Sequence, residues 1–466
     1  MTDKNLSRIG DAFFEIERRE NLYDWKIAGI SVWVVLRSRL FRTITQNSNL
    51  YDWNTAKRVV VDDDPRLWTG RNAAQLLVKP AKPLPGEEDF RDLSGKTAIV
   101  VPFATRDAQL VDKFSQPITE HFGDSALVIG VGVWDRLTNR PNFEDLNKVF
   151  VQKYGFWCSV LIRILVTKKH HAKYARVVKY LEETVGASMA PFDKFPRWAL
   201  REFLAQRHGY RKIFKRTSAK TMYMVNAARM SMQAAAQSLG IKVIEIQSGV
   251  FSKYSLQFSW PGSPSVDYLP DEIWTWGEYF TDGIEHARNQ TIRVVGSTGE
   301  FDRVREMHIP RKSGQVMFVA QPLVGIDILR AALEFARAKP ELNVIIKLHP
   351  RNIIEDFNAV IDETGGLPKN CSLIQNERSS LELIAESEFA IGAFSTALIE
   401  AAGLGTRVGL LKVPGWDHLK PLIDGGHAAL FDSAQDLIAG LESIPVSRDP
   451  YYFYGHKANL SALLGE

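Results

Sequence analysis

The chain has 466 residues, 45% of them hydrophobic and 24% charged, with a formal net charge of +4 and a pI of about 8.8. This composition excludes a disordered chain and allows two or three folded domains. The small, dispersed basic excess argues against nucleic acid as a partner. Two distant cysteines, Cys158 and Cys371, make neither a disulfide framework nor a zinc pattern, so a reducing compartment is expected. The N-terminus lacks a signal-peptide apolar region, and no run reaches the ~20 apolar residues that span a bilayer. A cytoplasmic protein is the expectation.

Residues 1–90 read as a helical extension ending in the connector "KPAKPLPGEEDF" (79–90). Within it, "WKIAGISVWVVLRSRLFRTI" (25–44) is apolar and basic, as is "FWCSVLIRILVTKKHHAKYARVVKYL" (156–181) further on. Each fits a core-facing helix with a solvated basic face, or a helix lying on an anionic membrane. Peripheral association with a membrane is therefore a second expectation.

Short apolar runs then alternate with helical segments. "TAIVVPF" (97–103), "ALVIGVGVW" (126–134), "TMYMVN" (221–226) and "KVIEIQ" (242–247) predict parallel strands covered on both faces. They assign a first α/β domain to 91–265. "EIWTWG" (272–277), "TIRVVGS" (291–297), "QVMFVAQP" (315–322), "NVIIKLHP" (343–350), "CSLIQ" (371–375), "EFAIGAF" (388–394) and "RVGLLKV" (407–413) assign a second to 266–445. The tail, 446–466, predicts a terminal helix packing back. Strand–helix–strand order implies right-handed crossovers, hence two doubly wound parallel-sheet domains facing a cleft. Ligands of such sheets bind beyond the carboxyl ends of the strands.

Two stretches at such ends suggest an anion site. In "NVIIKLHPRN" (343–352), Lys347, His349 and Pro350 close a strand. Proline fixes the turn, and a histidine there can donate to a phosphate oxygen. A solvated lysine and a histidine satisfied by a carbonyl fit equally. In "FAIGAFSTALIEAAGLG" (389–405), a helix opens at Ser395 and Thr396, whose hydroxyls join the free N–H groups of its first turn. Simple N-capping is the alternative. Glu400, one turn on, suits the hydroxyls of a ribose or plain solvent. Gly403 and Gly405 let the following turn come close.

"KLHP" followed by "FSTALIEA…G" resembles the donor-binding half of GT-B fold glycosyltransferases, the bacterial capsule and sialyltransferase-like enzymes, and polymer glycerophosphotransferases. "VIEIQSGVFSKYSLQFSWPG" (243–262) and "LPDEIWTWGEYF" (269–280) resemble the capsule-enzyme pattern around an E-x-Q-H-G strand end, and "VAQP" fits the first strand of the donor domain. The likeness covers about 243–425. It implies a GT-B fold and a nucleotide sugar as substrate, with a glycan or glycolipid acceptor and no cofactor; from the residues themselves, phosphate neutralisation is expected from the helix terminus and Lys/His, without a metal. It assigns the nucleotide phosphates to His349, Pro350, Ser395 and Thr396, with Lys347 in support. Gln247, Ser248, Gly249 and Gln321 then line the cleft.

Ser248 departs from the pattern, standing where those relatives carry histidine, and serine is a poor base at neutral pH. The candidate catalytic carboxylates are Asp107 in "FATRDAQL" and Asp135 in "GVWDRL", each after a strand, with Arg106 and Arg136 beside them; Glu245 is a third. The chain lacks a Walker phosphate loop, a His-Glu-x-x-His motif and a Gly-x-Ser-x-Gly elbow. A CDP-polyol phosphotransferase, a nucleotide-sugar 2-epimerase and a non-catalytic scaffold remain as alternatives.

Overall fold

The computed structural model describes residues 6–47, 90, 92–102, 112, 114–130, 143–190, 192–225, 229–282, 284–297, 300–447 and 449–465. The first helix, α1 (Leu6–Arg19), leads through a two-stranded ribbon, β1 (Lys26–Ile27) and β2 (Ile30–Ser31), into α2 (Val32–Asn47). Trp25, Ile27, Ile30, Val32, Trp33, Leu36 and Leu40 are all buried. The membrane reading of 25–44 is thereby corrected: its apolar face is already covered by protein.

What covers it is the helical layer of the first domain and the loop 254–269, in one continuous cluster. A buried ion pair fixes this arrangement. Glu17 is 1% exposed and Arg37 0%. The carboxylate accepts from Arg37 Nε at 2.5 Å, Arg37 Nη2 at 3.0 Å, Trp33 Nε1 at 2.8 Å and the Tyr23 hydroxyl at 2.5 Å. Arg37 Nη1 donates to the carbonyls of Leu256 and Ser259, and the guanidinium lies 4.0 Å from the Trp260 ring centroid. Every polar atom of the pair that needs a partner finds one, the condition for burying charge at all.

The first large sheet contains β3 (Ala98–Val101), β4 (Ala126–Val128), β5 (Thr221–Val225), β6 (Lys242–Ile246), β7 (Glu272–Thr275) and β8 (Thr291–Val294), in the order β4-β3-β5-β6-β7-β8. All pairs are parallel. Its helices are α3 (Gln116–Phe122), α4 (Phe143–Leu165), α5 (Lys168–Val185), α6 (Arg197–Phe214) and α7 (Met230–Gln237). Strand interiors such as "AIVV" are buried throughout because apolar clusters lie on both faces.

After α8 (Glu300–Glu306) the second sheet begins with β9 (Lys312–Val319) and α9 (Gly325–Ala338), then β10 (Asn343–Lys347), α10 (Ile354–Glu363) and β11 (Cys371–Ile374). It continues through α11 (Ser380–Glu386), β12 (Ser387–Gly392), α12 (Thr396–Gly403), β13 (Arg407–Leu411), α13 (Lys420–Asp424), β14 (Ala428–Phe431) and α14 (Ala434–Gly440). Its order is β11-β10-β9-β12-β13-β14, all parallel. The sheet reverses direction of growth between β9 and β12, the topological switch point beyond whose carboxyl ends doubly wound sheets take ligands. Two six-stranded parallel sheets with flanking helices make this a two-domain α/β architecture, as expected.

The division between sheets differs from the expected one. Strands β7 and β8, assigned from sequence to the domain starting at residue 266, belong to the first sheet, β7 pairing with β6 and β8 with β7. The proline-containing loop 258–271, across which the expected boundary falls, is part of the long β6–β7 connection and packs against α1 and α2. The change of sheet falls between β8 and β9. Strand β14, "AALF", escaped notice because it is short and carries no β-branched residue.

The terminal segment, α15 (Pro450–Phe453) and α16 (Leu460–Leu464), crosses between the sheets. The Tyr454 ring stacks between Phe301 at 3.8 Å and Trp276 at 5.3 Å, and Arg305 holds the carbonyls of Tyr454 and Gly455. Glycine is required along this track. At Gly296, with φ +87, a Cβ would meet the His456 carbonyl oxygen at 1.7 Å; at Gly277 it would meet that of Phe453 at 2.4 Å. Leu463 and Leu464 reach the first domain's core.

Candidate functional site

The two sequence stretches emerge on either side of β9. Strand β10 ends at Lys347 and β12 at Gly392, and each pairs with β9. Gln321, just past the end of β9 and 8% exposed, joins them. Its Oε1 accepts from the Phe394 N–H at 3.2 Å, and its carbonyl lies 3.5 Å from Asn352 Nδ2. Asn352 Oδ1 in turn accepts from the His349 N–H at 2.8 Å. The loops bearing His349 and Ser395 are therefore tied to one residue, Gln321, the first through its main-chain carbonyl and the second through its side chain.

Within the first loop, His349 Nδ1 accepts from the Arg351 N–H at 3.0 Å. That bond places the ring proton on Nε2, which becomes a donor. Burial, with the charges of Arg351 and Lys347, pushes the imidazole pKa down to about 4. His349 is neutral near pH 7. Gln375 closes the loop, its amide donating to the carbonyls of His349 at 3.2 Å and Asn352 at 2.8 Å. Pro350 sits exposed at the turn.

Lys347 does not join the Ser395 helix. It is 5% exposed, and its ammonium donates to the Gln375 carbonyl, beyond β11 and on the far side of β10 from β12. Burial lowers its pKa. Its observed work is to hold the 375 loop that in turn holds His349.

On the other loop, Ser395 caps α12 with extended backbone angles, φ −78 and ψ 141. Its Oγ accepts from the Ala397 N–H at 3.3 Å, so the hydroxyl proton is available for a further acceptor. Ser395, Thr396 and Glu400 are half-buried. Glu400 lies near the buried Tyr454, whose hydroxyl pKa is raised by burial and then by the Glu400 charge. Gly405 takes φ +73 after the helix, and a Cβ on Gly403 would meet the Tyr454 ring at 2.9 Å.

The first domain contributes a loop after β6. Gln247 is 0% exposed; its Nε2 donates to the Gly249 carbonyl at 2.9 Å and its Oε1 accepts from the Trp276 N–H at 2.8 Å. Both ends are occupied, so Gln247 shapes the loop that presents half-buried Ser248 and Gly249. Glu245 shares the sheet face of Val243, under α7, and is buried within the strand rather than at its end. Asp107, Asp135, Arg106 and Arg136 lie outside the described residues.

Sequence reasoning missed His418. It stands in the loop after β13, next to β12, with its ring 6.1 Å from that of Phe394. Its Nδ1 lies 3.0 Å from Ser252 Oγ, which comes from the β6–β7 connection. Burial pushes its pKa down to about 4. The available signal was position: "PGWDH" follows a strand end adjacent to the Ser395 strand. A separate depression of about 290 Å³, lined by Arg305, His308, Arg311, Gly403 and Tyr451, sits at the opposite end of α12 from Ser395.

These two histidines should make the protein less stable in acid. Each has a folded pKa near 4 against an unfolded value of about 6.5. Between those values the unfolded chain binds more protons, so stability falls as pH drops through 6.5 towards 4, by roughly 1 kcal/mol per pH unit for each histidine and about 2 for the pair. Urea midpoints at pH 7 and pH 5 measure the slope, and the double variant His349→Asn, His418→Gln should flatten it. An unchanged slope in that variant would assign the lability to other groups.

No family model matches the chain, and no curated protein matches it in sequence. Among solved structures, MurG of Acinetobacter baumannii superposes with a TM-score of 0.45 at 13% identity, covering 79% of this chain and 97% of its own. A UDP-GlcNAc 2-epimerase from Neisseria meningitidis bound to UDP-GlcNAc gives 0.43 at 14% identity, covering 79% and 100%. The kitacinnamycin glycotransferase gives 0.43 at 13%, covering 77% and 92%. At these values the likenesses carry no argument about substrate or reaction.

Proposed function

We propose that the chain is a glycosyltransferase that moves a sugar from a nucleotide-activated donor to a bacterial surface polysaccharide or glycolipid. The observation that supports this most is the Gln321 bracket. It brings the His349 loop and the N-terminus of α12 to the two sides of β9, at the switch point where doubly wound sheets take nucleotides.

In this reading the donor phosphate lies between the two loops. As the bond from the sugar's anomeric carbon to phosphate oxygen breaks, charge grows on the phosphate. The Nε2–H of neutral His349, the Ser395 and Thr396 hydroxyls and the first-turn N–H groups of α12 face that charge as preorganised donors. The acceptor oxygen bonds to the anomeric carbon and its proton passes to a carboxylate, with Asp107 and Asp135, which follow β3 and β4 in sequence, as candidates. Glu400 would take the ribose.

A panel of CMP-, CDP-, UDP- and GDP-linked sugars tests the reading. One donor class should raise the unfolding temperature and be slowly hydrolysed, with transfer when an acceptor glycan is supplied. Turnover of a CDP-polyol instead would make the protein a polyol phosphotransferase. Epimerised donor without acceptor would make it an epimerase. Binding of none would leave the scaffold reading.

A further inference from the structure

We propose that the C-terminal half of α4 docks the protein onto an anionic lipid bilayer. This surface is independent of the transferase reading. Phe156, Trp157, Val160, Leu161 and Ile164 are 53%, 72%, 40%, 47% and 72% exposed. At ~100° per residue they fall within an arc of roughly 140°, one continuous stripe on the helix. Among the described residues the other exposed large hydrophobics, such as Met307, Leu367 and Val446, are scattered singly. Single exposed apolar residues are ordinary, whereas a stripe of five running from Phe156 to Ile164 and including a tryptophan is not.

Charge selects the occupant. From 146 to 181 the chain has no Asp or Glu, while Lys148, Lys153, Arg163, Lys168, Lys169, Lys173, Arg176 and Lys179 are all basic. Arg176 is spent on Glu20, Lys179 on Glu183 and Lys148 on Asp145, and Lys173 donates to the Asn21 carbonyl. Lys153 and Arg163 are exposed at the rim of the stripe, and the chain bends by 91° between α4 and α5, so exposed Lys168 and Lys169 follow directly at the elbow. A cationic rim opposes pairing with a second copy of itself and favours phosphate headgroups. Trp157 suits the headgroup level of a bilayer. The inner side of the bend is anchored, with Ile162, Val166, Tyr174 and Val177 buried in the domain core. The elbow therefore lies on the membrane surface and does not cross it.

Sedimentation of the full chain with phosphatidylcholine vesicles, with and without phosphatidylglycerol, tests this. Wild type should bind the anionic vesicles and release them as salt rises. Lys168→Glu with Lys169→Glu should weaken that binding about tenfold or more, and Trp157→Glu with Ile164→Glu should abolish it. Light scattering should show the same oligomeric state for all variants, and circular dichroism the same fold. Equal binding to both vesicle types, binding to neither, or conversion of a wild-type dimer to monomer by Trp157→Glu with Ile164→Glu would overturn the proposal.

Discussion

His349→Asn and Ser395→Gly should each lower kcat for donor cleavage by about a hundredfold, the usual cost of removing one preorganised donor at a developing oxyanion. The substitutions are chosen to isolate the lost donor. An asparagine oxygen can still accept from the Arg351 N–H that His349 Nδ1 now takes, while the Nε2–H disappears. Glycine at an N-cap costs the helix only a few tenths of a kcal/mol, against about 1 for alanine, so α12 should persist without the hydroxyl. The donor identified in the nucleotide panel supplies the assay. A fall in kcat with little change in KM marks groups that act mainly on the departing phosphate; a rise in KM alone marks uniform binding. Wild-type turnover in both variants would remove the phosphate from this crevice.

The second large effect is on stability. Arg37→Met should lower the free energy of unfolding by about 3–5 kcal/mol, because it strands the Glu17 carboxylate in a site it occupies only as part of a pair. Glu17 is held by four donors, two from Arg37, with Trp33 and Tyr23 supplying the others. Adding Glu17→Gln to Arg37→Met should recover much of the loss, since the neutral amide no longer carries an uncompensated charge. Urea denaturation followed by circular dichroism measures both. If the single variant unfolds at the wild-type midpoint, the pair is not a structural determinant. A local consequence is expected as well. Arg37 also grips the carbonyls of Leu256 and Ser259, so releasing it frees the connection that carries Ser252 to His418.

Local pattern carried much of this molecule. Continuous apolar runs such as "AIVV" and "NVII" can be buried only between two helical layers, so they announce parallel strands wherever they occur. Ser395, at the junction of such a run and a helix, announces a cap by chemistry alone. Even the placement of His349 and Ser395 at strand ends was legible, because a strand's direction follows from the chain.

Sheet membership and side-chain aim were not legible. Nothing local distinguishes β7 and β8 from strands of the second sheet; only edge-to-edge hydrogen bonding onto β6 decides it. The lysine of "KLHP" is the same residue whether it faces a phosphate or the Gln375 carbonyl, and the choice rests on which neighbour β11 brings beside it. The apolar residues of 25–44 and 156–164 are alike in composition, yet one set is enclosed by α5, α6 and a loop from beyond residue 250 while the other is left in the open. Periodicity set by neighbours in sequence fixed the elements and their polarity. Contacts between residues hundreds of positions apart fixed which face is covered and which polar group is already spent, because burial and hydrogen-bond satisfaction belong to the assembled surfaces.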